Sequence, residues 1–283
     1  MKIGVSSYSF AKYIRQTGAT YEDICDIAKK IGYDGIEFIN MDSYEEGDPI
    51  EIAKRVRAYC EKIGLEITAY TVGANFLKDD IQEEVARVKG CIDVAEALGA
   101  PVLRHDACYA GRDLPHYTYR EAIQEMAPYI REVTEYAAAK GIKTCTENHG
   151  HYIQEPERVE ELIRTVNHPN YGWLVDIGNF ICTDAELVHA ANIAAPYAVH
   201  AHVKDFLWKS GQSLAPEGWG KTRGGNYIRG TVISHGVVPI SQCLEQLKKV
   251  NYDGYISVEF EGWEENIQAL ETSYAYLTKL LAE

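Results

Sequence analysis

Side chains that can hold a metal or move a proton close a series of short apolar runs in this 283-residue chain: Glu37, Tyr70, His105, Glu147, Asp176, His202 and Glu259. Three of the last four are carboxylates. If the runs are parallel strands whose ends meet in one bowl, these carboxylates crowd together and would partly protonate unless a cation held them. Glu147, Asp176, His202 and Glu259 offer three carboxylates and one imidazole, a set suited to one divalent ion. Its oxygen-rich character favours Mn²⁺ over Mg²⁺, Co²⁺ or Zn²⁺. Four protein ligands on an octahedral ion leave two positions, which a vicinal hydroxyl and carbonyl of a sugar would fill.

A second ring of residues surrounds this set. Lys204 lies two positions after His202, on the same strand face, and is expected either to hold a substrate oxygen or to pair with Asp205. His105, Asn148 and His149 are candidates to contact substrate or orient ligands, against ordinary hydrogen bonding in the core. Arg229 and His235 stand on a long loop and would close over a sugar, against simple surface exposure. Tyr70, with Tyr8, Phe38, Trp208 and Trp263, could offer apolar faces to a sugar ring, against packing.

The elements that must position these groups follow from a recurrent unit of about 35 residues, read as helix, glycine, then a β-rich run. Gly32, Gly64, Gly99 and Gly141 mark helix ends, and each precedes a short strand. Strands are expected near residues 2–7, 35–39, 65–71, 101–105, 142–147, 171–176, 198–203 and 254–260. Between them, Ile81, Val85, Val88, Ile92, Ala95 and Leu98 form one apolar stripe, as do Ile267, Leu270, Tyr274 and Leu277. Eight strands alternating with helices predict a single-domain (β/α)8 barrel over residues 1–283. A doubly wound sheet is weakened by Ser6-Ser7-Tyr8-Ser9-Phe10 where a glycine-rich dinucleotide turn would stand. The stretch from Asp205 to Val238 carries seven glycines and is expected to be a binding loop or lid without secondary structure.

At Cys145-Thr146-Glu147-Asn148-His149, Leu174-Val175-Asp176-Ile177-Gly178-Asn179, His200-Ala201-His202-Val203-Lys204-Asp205 and Ser257-Val258-Glu259-Phe260-Glu261, the chain resembles the sugar isomerase and epimerase superfamily of xylose isomerase-like TIM barrels. The resemblance spans nearly the whole chain and implies that Glu147, Asp176, His202 and Glu259 bind one divalent metal. In the ketose 3-epimerase branch, the residues matching Glu147 and Glu259 are also the acid/base pair. Proton transfer beside a carbonyl, through an enediolate held on the ion, needs such a base and an acid on the opposite face when configuration inverts. Asn179 stands where the common Asp-x-x-His pattern places histidine, which leaves it a candidate hydroxyl binder. The resemblance also implies a dimer or tetramer.

Charge narrows the partners. With 42 acidic and 28 basic residues the formal net charge is -14, opposite to what phosphate-backbone binding requires. An endonuclease IV-like activity is further disfavoured because residues 70–71 supply no third-strand histidine. Acidic Glu259-Phe260-Glu261 stands where barrels commonly bind phosphate, so a free sugar, keto-sugar or cyclitol is favoured, while Lys209, Lys221, Arg223 and Gly224-Gly225 on the long loop leave a phosphate open. The seven cysteines include no Cys-x-x-Cys pair and read as buried thiols of a reducing cytosol. No apolar run is long enough to span a membrane, and the N-terminal residues lack a signal-peptide core. A cytoplasmic enzyme is expected: an epimerase or isomerase first, a lyase or dehydratase on a keto-sugar, keto-glycoside or inosose second, and a metal-free sugar-binding barrel last.

Overall fold

The computed structural model describes residues 1–282. Its eight-stranded barrel begins with β1 (Lys2–Ser6), which leads through a 3-10 turn into α1 (Ala11–Thr17) and α2 (Tyr21–Ile31). Then come β2 (Gly35–Ile39), α3 (Pro49–Ile63), β3 (Glu66–Val72), α4 (Ile81–Leu98), β4 (Val102–His105) and α5 (Tyr119–Ala138). The second half holds β5 (Lys143–Glu147), α6 (Pro156–Val166), β6 (Tyr171–Asp176), α7 (Leu187–Ala194) and β7 (Ala198–Val203). After an excursion come α8 (Ile240–Lys249), β11 (Tyr255–Val258) and α9 (Asn266–Ala282). All barrel pairings are parallel, and β1 closes the ring by pairing with both β2 and β11.

Local chemistry sets the helix boundaries. Thr20 with Asp23 and Thr118 with Glu121 form capping boxes that satisfy the first free N–H groups of α2 and α5. Gly32, Gly64 and Gly99 end α2, α3 and α4 as expected. The C-cap of α5 is Ala139, with Gly141 two residues beyond it. On α4, Val85, Val88, Ile92, Ala95 and Leu98 are buried. They form part of the continuous apolar layer between strands and helices.

Within the barrel, Ala69, Val102, Cys145 and Leu174 form a separate apolar plug, with Val199 against it. Fully burying a side chain such as Leu174 contributes roughly 1.5–3 kcal/mol. The plug closes the barrel below the C-terminal strand ends.

The excursion differs from expectation. Residues 205–238 contain β8 (Asp205–Lys209), β9 (Gly220–Lys221) and β10 (Tyr227–Thr231), joined as an antiparallel sheet in the order β8-β10-β9. It is tied down at several points. Asp184 accepts from Thr222 Oγ1 at 2.9 Å, Gly224 N–H at 2.6 Å and Asn226 Nδ2 at 2.7 Å. Thr231 Oγ1 donates to Glu264 Oε1 at 2.8 Å. The stretch is therefore a braced cover, not a structureless loop.

Candidate metal and proton-transfer site

Strand alternation builds the site. Side chains two residues apart share a face, so the positions two beyond the plug residues Ala69, Val102, Cys145 and Leu174 also face inward. These are Thr71, Arg104, Glu147 and Asp176. Together with residues from β7, β11 and neighbouring loops, Thr71, Arg104 and Glu147 line a cavity of about 340 Å³ that also meets His202, Lys204 and Glu259.

Glu147, Asp176, His202 and Glu259 each present one ligand atom, all within 4.8 Å of one another. His202 Nδ1 lies 3.8 Å from Glu147 Oε1, 3.9 Å from Asp176 Oδ2 and 3.6 Å from Glu259 Oε2. Both His202 Nδ1 and Asp176 Oδ2 are buried without a hydrogen-bond partner. Buried polar atoms are rarely left unpaired. Two orphans facing each other among carboxylates fit a divalent cation between them.

The surrounding groups orient this set. His202 Nε2 lies 2.7 Å from Glu37 Oε1, close but poorly aligned for a hydrogen bond. Glu37 Oε2 lies 2.7 Å from His200 Nε2, which also reaches Ser257 Oγ at 3.2 Å. A carboxylate behind a ligating imidazole fixes which nitrogen faces the ion. Asn148 accepts from Trp173 Nε1 at 3.0 Å and from the Asp176 N–H at 3.1 Å, while its Nδ2 donates to the Asp176 carbonyl at 2.8 Å. Asn179 Nδ2 donates to Glu147 Oε1 at 2.7 Å, and its Oδ1 accepts from Lys204 Nζ at 3.2 Å.

Two buried cations balance part of the negative charge. Lys204 Nζ contacts Glu259 Oε2 at 2.5 Å, Asp176 Oδ2 at 3.5 Å and Glu261 Oε2 at 3.8 Å. Arg104 Nη2 reaches Glu147 Oε2 at 2.5 Å and Asp106 Oδ1 at 2.7 Å. Burial pushes the Asp176 carboxyl up to about 6, with Glu147 and Glu259 adding to the rise against Lys204. Burial also opposes ionisation of Glu259, but Lys204 and His202 outweigh it and hold that carboxyl well below the usual range. Lys204 is likewise disfavoured by burial, yet Glu259, Glu261 and Asp176 keep it firmly an ammonium.

Several expected contacts lie elsewhere. His105 faces out of the barrel, stacked on Tyr171 at 5.9 Å and edge-on to Phe76 at 5.2 Å. Burial pushes its imidazole down to about 4, so it is a neutral core residue. Tyr70 also faces the helix layer, where its hydroxyl accepts from the Met41 N–H at 3.2 Å. The inward residues at these two strand ends are Arg104 and Thr71, each adjacent in sequence to the expected one. Asn148 is fully buried and braces the β6 end rather than lining the cavity. Asn179 is buried beside Glu147 and Lys204, again outside the cavity lining. Arg229 lies over the rings of Trp219 and Trp263, with Glu264 at 3.7 Å. His235 is exposed on the excursion away from the cavity lining.

Lys204 does not pair with Asp205, whose carboxylate accepts the N–H groups of Phe206, Gly236 and Val238. His149 does line the cavity, with Nδ1 2.9 Å from Asp106 Oδ1. Of the aromatics, Tyr8 lines the cavity, Phe38 is fully buried, and Trp208 and Trp263 are exposed. Sequence reasoning missed Arg104, Asp106 and Glu261 as parts of the site, and it named Glu37 among the strand-end groups without giving it a role behind His202. Glu261 carried a visible signal, since it lies two residues beyond Glu259 on the same face.

Comparison with known proteins adds a family and several likenesses. The family described as "Xylose isomerase-like TIM barrel" matches residues 25–280. An inosose dehydratase of Histophilus somni is 25% identical over 205 residues, 66% of this chain and 67% of that protein. An uncharacterised protein of Methanocaldococcus jannaschii is 25% identical over 154 residues, 52% of this chain; the match spans only 47% of its own length. Among solved structures, the probable 3-DHS dehydratase AsbF of Bacillus anthracis has a TM-score of 0.77 at 21% identity, covering 98% of this chain and 99% of that one. D-psicose 3-epimerase of Clostridium cellulolyticum H10 has a TM-score of 0.74 at 16% identity, covering 100% and 99%. At these identities the structural likenesses establish the fold alone. No helix among the described residues is long and apolar enough to cross a membrane.

Proposed function

The chain belongs to the xylose isomerase-like TIM barrel family, and on that footing we propose that it is a divalent-metal-dependent sugar epimerase or isomerase with Glu147 and Glu259 as its acid/base pair. The observation that carries this reading is the convergence of Glu147, Asp176, His202 and Glu259 around orphaned Asp176 Oδ2 and His202 Nδ1. These four side chains would hold the ion, Mn²⁺ being favoured by the three carboxylates. When bound, the ion supplies a Lewis acid for the carbonyl oxygen of the substrate.

Glu147 ends β5 and Glu259 directly follows β11, two strands separated in the ring by β6 and β7, so they approach a bound ring from different sides. One removes the proton next to the carbonyl, and the other returns a proton to the opposite face of the enediolate or to its neighbouring carbon. Asn179 and Arg104 hold Glu147 in place, while Lys204 holds Glu259. The neutral hydroxyl-binding groups Asn40, Ser43 and Thr71 line the same cavity, which suits a free sugar, keto-sugar or cyclitol.

A second reading, a dehydratase on a keto-sugar or inosose, is favoured by one specific pair. The Asp106–His149 contact puts an oriented imidazole in the cavity wall, where it would protonate a leaving β-hydroxyl. In that reaction a base removes the α-proton, the C–H electrons form the new double bond, and the hydroxyl departs as water. The sequence relative from Histophilus somni and the structural neighbour from Bacillus anthracis carry dehydratase names.

The deciding experiment incubates the Mn²⁺-loaded protein in D₂O with ketoses, keto-glycosides and inososes. Deuterium at the carbon next to the carbonyl, with the substrate skeleton intact, supports the epimerase or isomerase reading. Loss of water with formation of an unsaturated product replaces it with the dehydratase, and neither exchange nor loss of water with any substrate rejects both.

A further inference from the structure

A second cleft opens beside the catalytic cavity. It has a volume of about 290 Å³ and is lined by Tyr109, Ala110, His151, Tyr152, Arg158 and Arg223. Its walls come from the loops after β4 and β5, the start of α6 and the excursion after β7. The two spaces share a partition. Tyr109 OH fills the space that a Cβ on Gly73 would need, and Gly73 itself lines the catalytic cavity. In the loop after β5, Gly150 and His151 are consecutively left-handed, with φ of +83° and +65°. This reversal turns His149 into the catalytic cavity and His151 with Tyr152 into the cleft. A left-handed histidine is strained relative to glycine, and such strain gathers at functional sites.

The cleft is unusual for a chain of net charge -14. Arg158 Nη2 reaches Glu155 Oε1 at 3.0 Å, and Arg223 Nη1 reaches the same oxygen. One carboxylate thus serves two guanidinium groups, and no acidic side chain lines the cleft itself. Arg158 also lies over the Tyr152 ring at 5.8 Å. Tyr109 is half exposed on the opposite loop. The one positive charge that Glu155 leaves unbalanced, set between aromatic side chains, matches a planar, carboxylate-bearing group.

We propose that this cleft is a second substrate subsite that holds a carboxylate-bearing aromatic substituent attached to the reacting sugar ring. The proposal rests on the functional reading above for the sugar ring in the neighbouring cavity. It makes the substrate a conjugate rather than a free monosaccharide, with Arg223 and Arg158 gripping the carboxylate.

The test is calorimetric binding of 4-carboxyphenyl glucoside and its neutral analogue 4-carbamoylphenyl glucoside to the full chain loaded with Mn²⁺. The carboxylate is expected to bind about tenfold more tightly, the effect of one charge-assisted hydrogen bond. Arg223→Met is expected to erase that preference. Arg223 stands on the outer excursion, and unchanged circular dichroism with unchanged melting temperature would confirm that the variant folds. Equal affinities in the wild-type protein, a preference that survives Arg223→Met, or no binding of either glucoside would overturn the subsite. Benzoate alone binding as tightly as the carboxyphenyl glucoside would also overturn it, because the cleft would then take a separate small anion. The deuterium-exchange panel fails or succeeds independently. Exchange without a carboxylate preference removes only the subsite, whereas a preference without exchange removes only the catalytic reading.

Discussion

Two buried carboxylates, one in the first turn of a helix and one at the end of a barrel strand, have met burial in opposite ways. Glu84, in the first turn of α4, is 1% exposed, and both its oxygens are filled. Oε1 accepts from the Asn75 N–H and Arg87 Nη2, both at 2.8 Å, and Oε2 from Lys78 Nζ at 2.8 Å and Arg87 Nε at 3.0 Å. Burial opposes its charge, but Arg87 and Lys78 outweigh that and bring the carboxyl down to about 2. Asp176 is fully buried and only half satisfied. Its Oδ1 accepts from the Gly178 and Asn179 N–H groups at 2.8 and 3.0 Å, while Oδ2 has no hydrogen bond and only the more distant Lys204 Nζ at 3.5 Å, and burial pushes the carboxyl up to about 6. A buried charge closed by the chain itself serves the fold. One left open among other ligand atoms serves something the chain must bind.

The sharpest way to break this contrast is to neutralise one carboxylate from each region. Glu147→Gln is expected to lower turnover by about 10³-fold or more, the usual weight of a positioned proton-transfer group, with little change in melting temperature. Glu84→Gln is expected to do the reverse, keeping turnover within about twofold while destabilising the fold by about 1 kcal/mol, because Lys78 and Arg87 lose their partner but stay half-exposed to solvent. Steady-state kinetics and urea unfolding on the two variants measure both arms. If Glu84→Gln loses as much turnover as Glu147→Gln, the division between closed and open carboxylates is wrong.

Asp176→Asn tests the open side directly. The folded pKa of about 6 lies above the ordinary value of 3.8. The metal-free folded protein therefore holds an extra proton between these values, and its stability falls as pH rises through that window. Removing the charge is expected to make the metal-free protein more stable at pH 7, by about 1–3 kcal/mol. The same variant should bind Mn²⁺ at least about 100-fold more weakly, so added metal stabilises the wild type but not the variant. A smaller effect of the same kind is expected one layer deeper. Glu37→Gln, behind His202 Nε2, should weaken Mn²⁺ binding about 10- to 100-fold without altering the ligand set. Fluorescence titration of the metal-free proteins reads both affinities.

How much of this was legible in the sequence depends on which physical signal carried it. Strand positions were readable because glycine-ended helices and short β-rich runs punctuate the chain, and each barrel strand lies within about two residues of its expected bounds. The four converging side chains were readable because carboxylates ending apolar runs are rare without a task. Strand face was not readable. Barrel strands are buried on both sides, so β4 (Val-Leu-Arg-His) and the end of β3 (Tyr-Thr-Val) show no polar alternation to fix their parity. Choosing His105 and Tyr70 by residue type therefore missed Arg104 and Thr71. The small sheet in the excursion was hidden by its glycines, even though Tyr227–Thr231 carries strand formers. The bracing role of Asn148 depends on a contact with Trp173, 25 residues away, which no local pattern reports.

The smallest expected effect lies on the acid limb of stability and has the opposite sign at the two carboxylates. Glu84 has a folded pKa of about 2 against an ordinary value of 4.5. Its contribution is therefore fully present above pH 4.5 and lost as pH falls towards 2, because the unfolded chain takes up the proton first. Lys78 and Arg87 are 50% and 40% exposed, so solvent screens the pair and reduces the contribution to about 1 kcal/mol. Over the partly shared range from pH 6 to 3.8, Asp176 works the other way and stabilises the metal-free protein as pH falls. Urea midpoints of metal-free protein at pH values from 3 to 7 should accordingly show a shallow maximum on the acidic side of neutrality. In Glu84→Gln the fall below pH 4.5 should flatten while the rise from pH 6 persists; in Asp176→Asn the rise should vanish while the fall remains. A single variant that removed both limbs would mean that the two carboxylates titrate as one system, and the contrast between them would fail.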